Sequence, residues 1–433
     1  MTERVHLHVG APKSGTTYLQ RVLETNREAL GAAGVLVVGE RHLDRVHAAM
    51  AVREDPRLES LPPEAATAWQ RLVAQVRAWP GPSAVLSYEL FAGADAEQVE
   101  RALADLDGLE VHVVITARDL AAAVPSAWQE RLKFALTTPL EQWRPRPESA
   151  GARAEWGWRT MDPAGVAARW GATLPPDRVH VVTVPRAAAD RTELWRRFAE
   201  ACDLPVTGLA LEPQAANESL GVVAAELLRR VNEQVGDRIS GNRQQALWLR
   251  DTLAHGVLAG LGRERIGLTD DQLREASERA DAAVEAVRAA RYSVHGDLED
   301  LRARPVEGRT PGQVTDAELL QTATEALVRL LLLVRERTRE RDAARRGDGG
   351  APTGLRAVGA GVVRRVTAPR VEARTAQLQR RIAELEAEVA RQRALHLRVA
   401  ELGDVVTELL LPVAQQDARL TSQALHDYRE RSL

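Results

Sequence analysis

Val5-His-Leu-His-Val-Gly-Ala-Pro-Lys-Ser-Gly-Thr-Thr-Tyr-Leu-Gln20 reads as a strand, a tight loop and the start of a helix. Val5 to Val9 is a short β-branched run, and from Thr16 to Leu30 the apolar Leu19, Val22, Leu23 and Leu30 recur at helical spacing. Gly10 and Gly15 let the backbone turn sharply and come close to an anion. The free N–H groups at the helix start, and the positive end of its dipole, point the same way. Lys13 adds a full charge, and Ser14, Thr16 and Thr17 add hydroxyl donors, so the loop suits a phosphate. A plain Gly/Pro turn would explain the glycines but not the lysine. Of 58 Lys+Arg in the chain only Lys13 and Lys133 are lysine. An Arg-favouring genome accounts for the bias but not for where these two stand.

The loop is not a Walker A motif, which places Lys directly after its second Gly and then a Ser or Thr for magnesium. Here Lys13 precedes Gly15 by two positions. Outward from the loop, short β-branched runs alternate with helical stretches, which predicts an α/β fold with a central parallel sheet flanked by helices. The expected strands are Val5–Val9, Val35–Val38, Ala84–Ser87, Glu110–Thr116 and Arg178–Val184. The expected helices lie over Thr16–Leu30, around Pro63–Trp79, and near Ala121–Leu136 and Arg191–Cys202. The Pro/Arg/Trp-rich stretch Pro139–Gly157 is too irregular for a core element, and long insertions of this kind often cover active sites. Its Trp143 and Trp156, with Trp158 just beyond, fit plain packing or a wall against a sugar or lipid.

From Glu218 to about Leu301 the pattern is helical and predicts a complement to the sheet, which sets the first domain at residues 1–305. A leucine-rich helix follows over 310–346, then a basic Gly/Pro-containing linker over 347–370. Over 371–415 Val371, Leu378, Ile382, Leu385 and Val389 step by three and four, and Val399, Leu402, Val406, Leu409 and Val413 resume after a three-residue slip. That is a stammered heptad pattern, expected to self-associate the chain into a homo-oligomer, with a helix folded back on the domain as the alternative. Residues 416–433 form a tail. Between Arg335 and Arg381 there are 13 Arg against five acids. A solvated linker is the default reading there; peripheral membrane contact is the alternative, and nucleic acid is not expected.

A chain of 433 residues buries a large core without disulfides, and its single Cys202 excludes a disulfide scaffold and a multi-Cys zinc site. A net charge of -3 argues against a protein that coats polyanions along its whole surface. The first residues lack a signal-peptide core, and the most apolar stretch, Leu327–Val334, is short and holds Arg329. A cytoplasmic location, with contact at the inner membrane face left open, is the expectation.

A second anion element follows the fourth strand, in Ile115-Thr-Ala-Arg118-Asp-Leu-Ala-Ala-Ala-Val-Pro-Ser126. A guanidinium fork grips phosphate at two points and a hydroxyl fills a third. Pro12-Lys13-Ser14-Gly15-Thr16-Thr17 resembles the 5′-phosphosulfate loop of the PAPS-dependent sulfotransferases, whose donor is 3′-phosphoadenosine-5′-phosphosulfate (PAPS). Arg118 and Ser126 are spaced like the pair with which that family grips the donor's 3′-phosphate. Asn217-Glu-Ser-Leu220 and Val294-His-Gly-Asp-Leu-Glu-Asp-Leu301 look like features of bacterial members, so the resemblance spans about residues 1–301. The late Arg/Lys-rich Gly loop of cytosolic eukaryotic members is not recognisable.

The resemblance implies sulfuryl transfer from PAPS to a hydroxyl or amine of a carbohydrate, lipid or natural product, with no metal required. It gives Lys13 the charge on the leaving oxygen, the 5′-phosphate to the Thr16/Thr17 end, and an adenine contact to Tyr18, for which core packing is the alternative. Val85-Leu-Ser-Tyr-Glu89 puts Glu89 just past the third strand, where the family carries its base. A surface acid is the alternative for Glu89; His6 and His8 read as core histidines, and His42, His47 and His112 as weaker rivals. Lys133, two turns past Ser126, faces either the acceptor or solvent. The other readings of the whole chain are a nucleotide-dependent kinase, or a coiled-coil scaffold keeping a nucleotide-binding fold without turnover.

Overall fold

The sheet is built from six parallel strands in the order β2-β3-β1-β4-β5-β6. They are β1 Arg4–Gly10, β2 Val35–Val37, β3 Ser83–Ser87, β4 Glu110–Ala117, β5 Val179–Thr183 and β6 Ser293–His295. The computed structural model describes residues 2–147, 157–186, 192–211 and 219–347. The linker, coiled-coil segment, tail, Trp156 and Asn217-Glu218 lie outside them. Among the described residues no helix is long and apolar enough to cross a membrane.

The helices follow the strands in the expected alternation: α1 Thr16–Thr25 and α2 Arg27–Ala32 after β1, α3 His42–Val52 and α4 Ala68–Ala78 after β2, α5 Ala96–Ala104 after β3. Past β4 come α6 Leu120–Leu132, α7 Trp158–Met161 and α8 Pro163–Trp170, and past β5 come α9 Glu193–Ala201 and α10 Val222–Val235. The short α11 Asn242–Gln245 runs into a π-helix, Ala246–Leu258. Then come α12 Asp270–Ala290 and α13 Asp316–Gly347. The chain divides into units Met1–Arg345 and Arg346–Leu433. The start of α13 belongs to the first, where Leu319 and Ala326 pack with Trp128, Trp143 and Trp158 in the helical half's core. Trp143 and Trp158 are buried there and form no exposed wall.

Successive residues of a strand face opposite sides, so β1 divides its side chains between two cores. Val5, Leu7 and Val9 pack under α3, α4, α5 and α8 with Leu86, Val113 and Ile115. On the other face Val85, Val114 and Val182 meet Leu19 and Leu23 of α1 and Trp195 and Phe198 of α9. His6 and His8 share that second face and are buried. Each fully buried aliphatic side chain contributes roughly 1.5–3 kcal/mol, which fixes the register of β1 between β3 and β4.

Three sequence expectations change. The helix expected over Thr16–Leu30 breaks at Asn26. Its amide donates to the Val22 carbonyl at 2.8 Å and the Ala210 carbonyl at 2.9 Å, and its Oδ1 accepts from the Ala210 N–H at 2.8 Å. These bonds tie the Asn26 side chain to a distant segment at the break between α1 and α2. The helix α3 and the strand β6 were not anticipated. Three residues, Ser293-Val-His295, carry too little periodicity to read as a strand, and β6 exists because β5 offers it an edge.

Candidate functional site

The chain runs from β1 to β2 and β3 on one side of the sheet and to β4, β5 and β6 on the other. Ligands in open parallel sheets bind beyond the carboxyl ends of the strands at such a reversal. The segments after β1, β3 and β4 all open there, into a cleft of about 2800 Å³. Lys13, Gly15, Thr16, Thr17, Glu89, Arg118, Ser126 and Lys133 all line it. Of the side chains expected to hold the two anionic groups of one donor, Lys13, Thr16, Thr17, Arg118 and Ser126 therefore face a single cavity.

The loop after β1 is shaped for an anion by its backbone. Gly15 takes a left-handed φ of 84° at the N-cap of α1. The α1 helix begins when the Tyr18 and Leu19 amides bond the Gly15 carbonyl. Among the described residues no acceptor takes the N–H groups of Lys13, Ser14, Gly15, Thr16 or Thr17. Five such donors in a turn at a helix start form a nest for a negative group. Gly10 locks the loop against the segment after β3. A β-carbon there would stand 2.8 Å from the Ala92 Cβ and 2.9 Å from the Glu89 carbonyl oxygen. Gly10→Ala is therefore expected to cost at least about 2 kcal/mol of unfolding free energy, measured by chemical denaturation. A loss below ~0.5 kcal/mol would show that the loop has room to move.

Three of the expected ligand contacts, at Ser14, Tyr18 and Pro12, do not bring their side chains to the cleft. The Ser14 hydroxyl is buried and bonds the Ala11 carbonyl and the Thr116 Oγ1. It braces the loop on β4, and only its amide is left for a ligand. Tyr18 is buried with Leu19 and Val22 in the core beneath α1, so its ring is not at the cleft. Pro12 is also buried and shapes the loop without lining the cleft. His8 supports the same brace, with Nε2 3.1 Å from the Thr116 Oγ1 and Nδ1 2.7 Å from the Ser87 Oγ.

Arg118 leaves β4 half-buried and donates from Nη1 to the Lys13 carbonyl at 3.1 Å. Among the described residues no carboxylate pairs with it, and burial pushes its guanidinium below its ordinary value. Ser126 lies two turns along α6 with no hydrogen-bond partner for its hydroxyl among the described residues. A half-buried cation and a free hydroxyl on one face call for an anion. Arg263 and Arg265, both exposed, add two guanidinium groups to the same cleft from the Gly260–Ile266 segment. No motif in the sequence marked them.

Glu89 opens a 3-10 turn, Glu89–Gly93, directly after β3. Its Oε2 accepts from the Gln20 Nε2 at 2.9 Å, so α1 aims the carboxylate into the cleft. Glu130 is a second cleft carboxylate that sequence reasoning missed. The Lys13 and Lys133 ammonium groups both donate to its Oε2 at 3.1 Å. Burial opposes its charge, but the two ammonium groups outweigh burial and hold its carboxyl at about 2. The signal was available: Ser126, Glu130 and Lys133 recur at four and three along one face of α6.

Fold and cleft together define a parallel α/β protein with a basic cleft at the carboxyl edge of its sheet. Among solved structures the chain is similar to a sulfotransferase from Alicyclobacillus acidocaldarius, at 15% identity and a TM-score of 0.35, over 57% of this chain and 96% of that one. It is also similar to the sulfotransferase domain from the curacin biosynthetic pathway, at 14% identity and a TM-score of 0.29, over 64% of this chain and 96% of that one. Residues 378–432, outside the described residues, match a family model described as a domain of unknown function, DUF6752. No curated protein matches the chain. Likenesses this distant assign no chemistry to the cleft.

Proposed function

We propose that the protein is a sulfotransferase that moves a sulfuryl group from PAPS to an acceptor hydroxyl or amine. One observation carries the reading: the loop residues Lys13, Gly15, Thr16 and Thr17, with free amides, and Arg118 with Ser126 line the same cleft. Two anion sites side by side fit a donor charged at both its 5′ and 3′ ends, and the residues present suit both.

In the transfer, the acceptor oxygen bonds to sulfur as the bond from sulfur to the bridging phosphate oxygen breaks. The electron pair stays on that bridging oxygen, and the acceptor's proton passes to Glu89. The chain contributes position and charge, which dominate such transfers. The loop amides and the Thr16 and Thr17 hydroxyls hold the 5′-phosphate, and Lys13 neutralises the leaving oxygen. Arg118 and Ser126 hold the 3′-phosphate, with Arg263 and Arg265 beside them. The acceptor enters from the side of Glu89 and Lys133. We place its class among carbohydrate, lipid or natural-product alcohols and amines.

Isothermal titration with 3′-phosphoadenosine 5′-phosphate (PAP) and with ATP tests the reading. PAP is expected to bind without magnesium and more tightly than ATP. Binding of ATP alone, and only with magnesium, sinks the sulfotransferase reading in favour of a kinase.

A further inference from the structure

The only two lysines of a chain with 58 Lys+Arg converge on one oxygen, the Glu130 Oε2. They come from separate elements: Lys13 from the loop after β1, Lys133 from the C-cap of α6, three residues past Glu130. All three side chains are largely shielded, with 27%, 16% and 10% of the Lys13, Glu130 and Lys133 side chains exposed, and all line the cleft. The π-helix presents Arg250, Asp251 and His255 to the same place; Arg250 pairs with Asp251 at 2.7 Å.

Lysine chemistry suits this arrangement. A carboxylate oxygen has two lone pairs and can take two donors, and an ammonium is a compact charge on a flexible four-carbon stem. A planar guanidinium would claim both oxygens and stay. Lys13 also has reason to be held. Its carbonyl already takes the Arg118 guanidinium, so a second cation there needs a counter-charge until an anion arrives.

We propose that Glu130 is a positioning residue: it holds the Lys13 ammonium in reserve against Lys133 and yields it to the donor's 5′ end when the donor binds. The inference rests on the PAPS reading above, because the donor is what draws Lys13 away. Glu130 touches no reacting atom. It keeps Lys13 close, and Lys133 keeps Glu130 paired after Lys13 has left.

The test uses the full chain labelled with [13Cε]lysine, which gives two side-chain signals that Lys133→Arg assigns. Burial first, and then the Lys13 charge, lower the Lys133 ammonium below its ordinary value, while Glu130 raises it. Three further neighbours, Arg250, Asp251 and His255, are the same in the comparison. In the wild type, saturation with PAP is expected to raise the Lys133 titration midpoint, because Lys13 departs and Glu130 serves Lys133 alone. In Glu130→Gln the midpoint is expected to fall by about one pH unit. PAP is expected to bind that variant about tenfold more tightly, since Lys13 no longer has to leave a partner. An unchanged Lys133 midpoint in both experiments, or weaker PAP binding by Glu130→Gln, overturns the proposal. If Glu130→Gln does not fold, the wild-type titration decides alone. If PAP does not bind the wild type while Glu130→Gln still lowers the midpoint, the donor reading fails and the link between Glu130 and the lysines stands.

Discussion

Lys13→Gly is expected to slow sulfuryl transfer by about 10²–10³ in kcat, the usual effect of removing one pre-organised donor from developing negative charge, while leaving the fold intact. Glycine is the informative replacement because Lys13 has a φ of 64°, in the left-handed region. A residue with a β-carbon costs about 1–2 kcal/mol there, and the cost persists because the lysine is needed at the turn. Glycine removes that strain and the ammonium together. It also deletes the pair with Glu130, but Lys133 keeps that carboxylate paired. The melting temperature should therefore stay near that of the wild type or rise, while single-turnover transfer from PAPS collapses. Lys13→Arg should not restore the rate, because a broad fork cannot follow a single oxygen through the transfer. A Lys13→Gly enzyme that transfers within tenfold of the wild type would remove Lys13 from the chemistry.

How much of this was legible in the sequence depended on how local each feature is. The turn of Gly10 to Thr17 could be read because a strand, two glycines and a helix start determine its backbone within a dozen residues. The positions of Glu89 and Arg118 could be read because each directly follows a β-branched run, and strand ends in a parallel sheet share one edge. What failed was facing. The Ser14 hydroxyl turns inward to Thr116, 102 residues away in the chain, and nothing near Ser14 signals that partner. Tyr18 turns into the core because Leu19, Val22 and Leu23 set the apolar face of α1 and Tyr18 borders it. Glu130 was missed for a different reason. Its place on the Ser126 face of α6 was readable, but its meaning depends on Lys13, 117 residues earlier, and only the fold brings them together.

The second large effect is on stability: lowering the pH from 6.5 to 5 is expected to remove about 5 kcal/mol of unfolding free energy, and the cause lies in the sheet. His6, His112, His180 and His295 stand on the adjacent strands β1, β4, β5 and β6. The rings of His6 and His112 are 5.1 Å apart, His112 Nδ1 lies 2.8 Å from His180 Nε2, and His180 Nδ1 lies 3.0 Å from His295 Nε2. Glu110 at 2.8 Å from His112 Nε2, with Arg4 beyond it, closes one end; Glu200, 3.9 Å from His295 Nδ1, stands at the other. His8 lies deeper in the same face against Phe198. Burial, and then the charges of His112 and His180, push His6 down to about 3; burial alone does the same to His8, also to about 3. Burial and the neighbouring histidines bring His180 to about 4. In the unfolded chain each returns to about 6.5. Between the two values the unfolded state binds more protons, so stability falls as the pH drops below about 6.5 and goes on falling towards 4 and 3. Between pH 6.5 and pH 5 each of the three contributes a loss of about 1.6 kcal/mol. The carboxylates do not mask this window, since Glu110, Glu130 and Glu193 are held at about 2 and give up their share only at lower pH. Denaturant titrations at pH 6.5 and pH 5 measure the difference directly. His6→Leu supplies the control, because the His6 Nδ1 is buried without a hydrogen-bond partner and leucine leaves no polar atom stranded. That variant should lose about a third less between the two pH values. Equal stability at pH 6.5 and pH 5 would mean that the ladder accepts protons in place, and that the neutral packing of four histidines across four strands is not what holds this edge of the sheet.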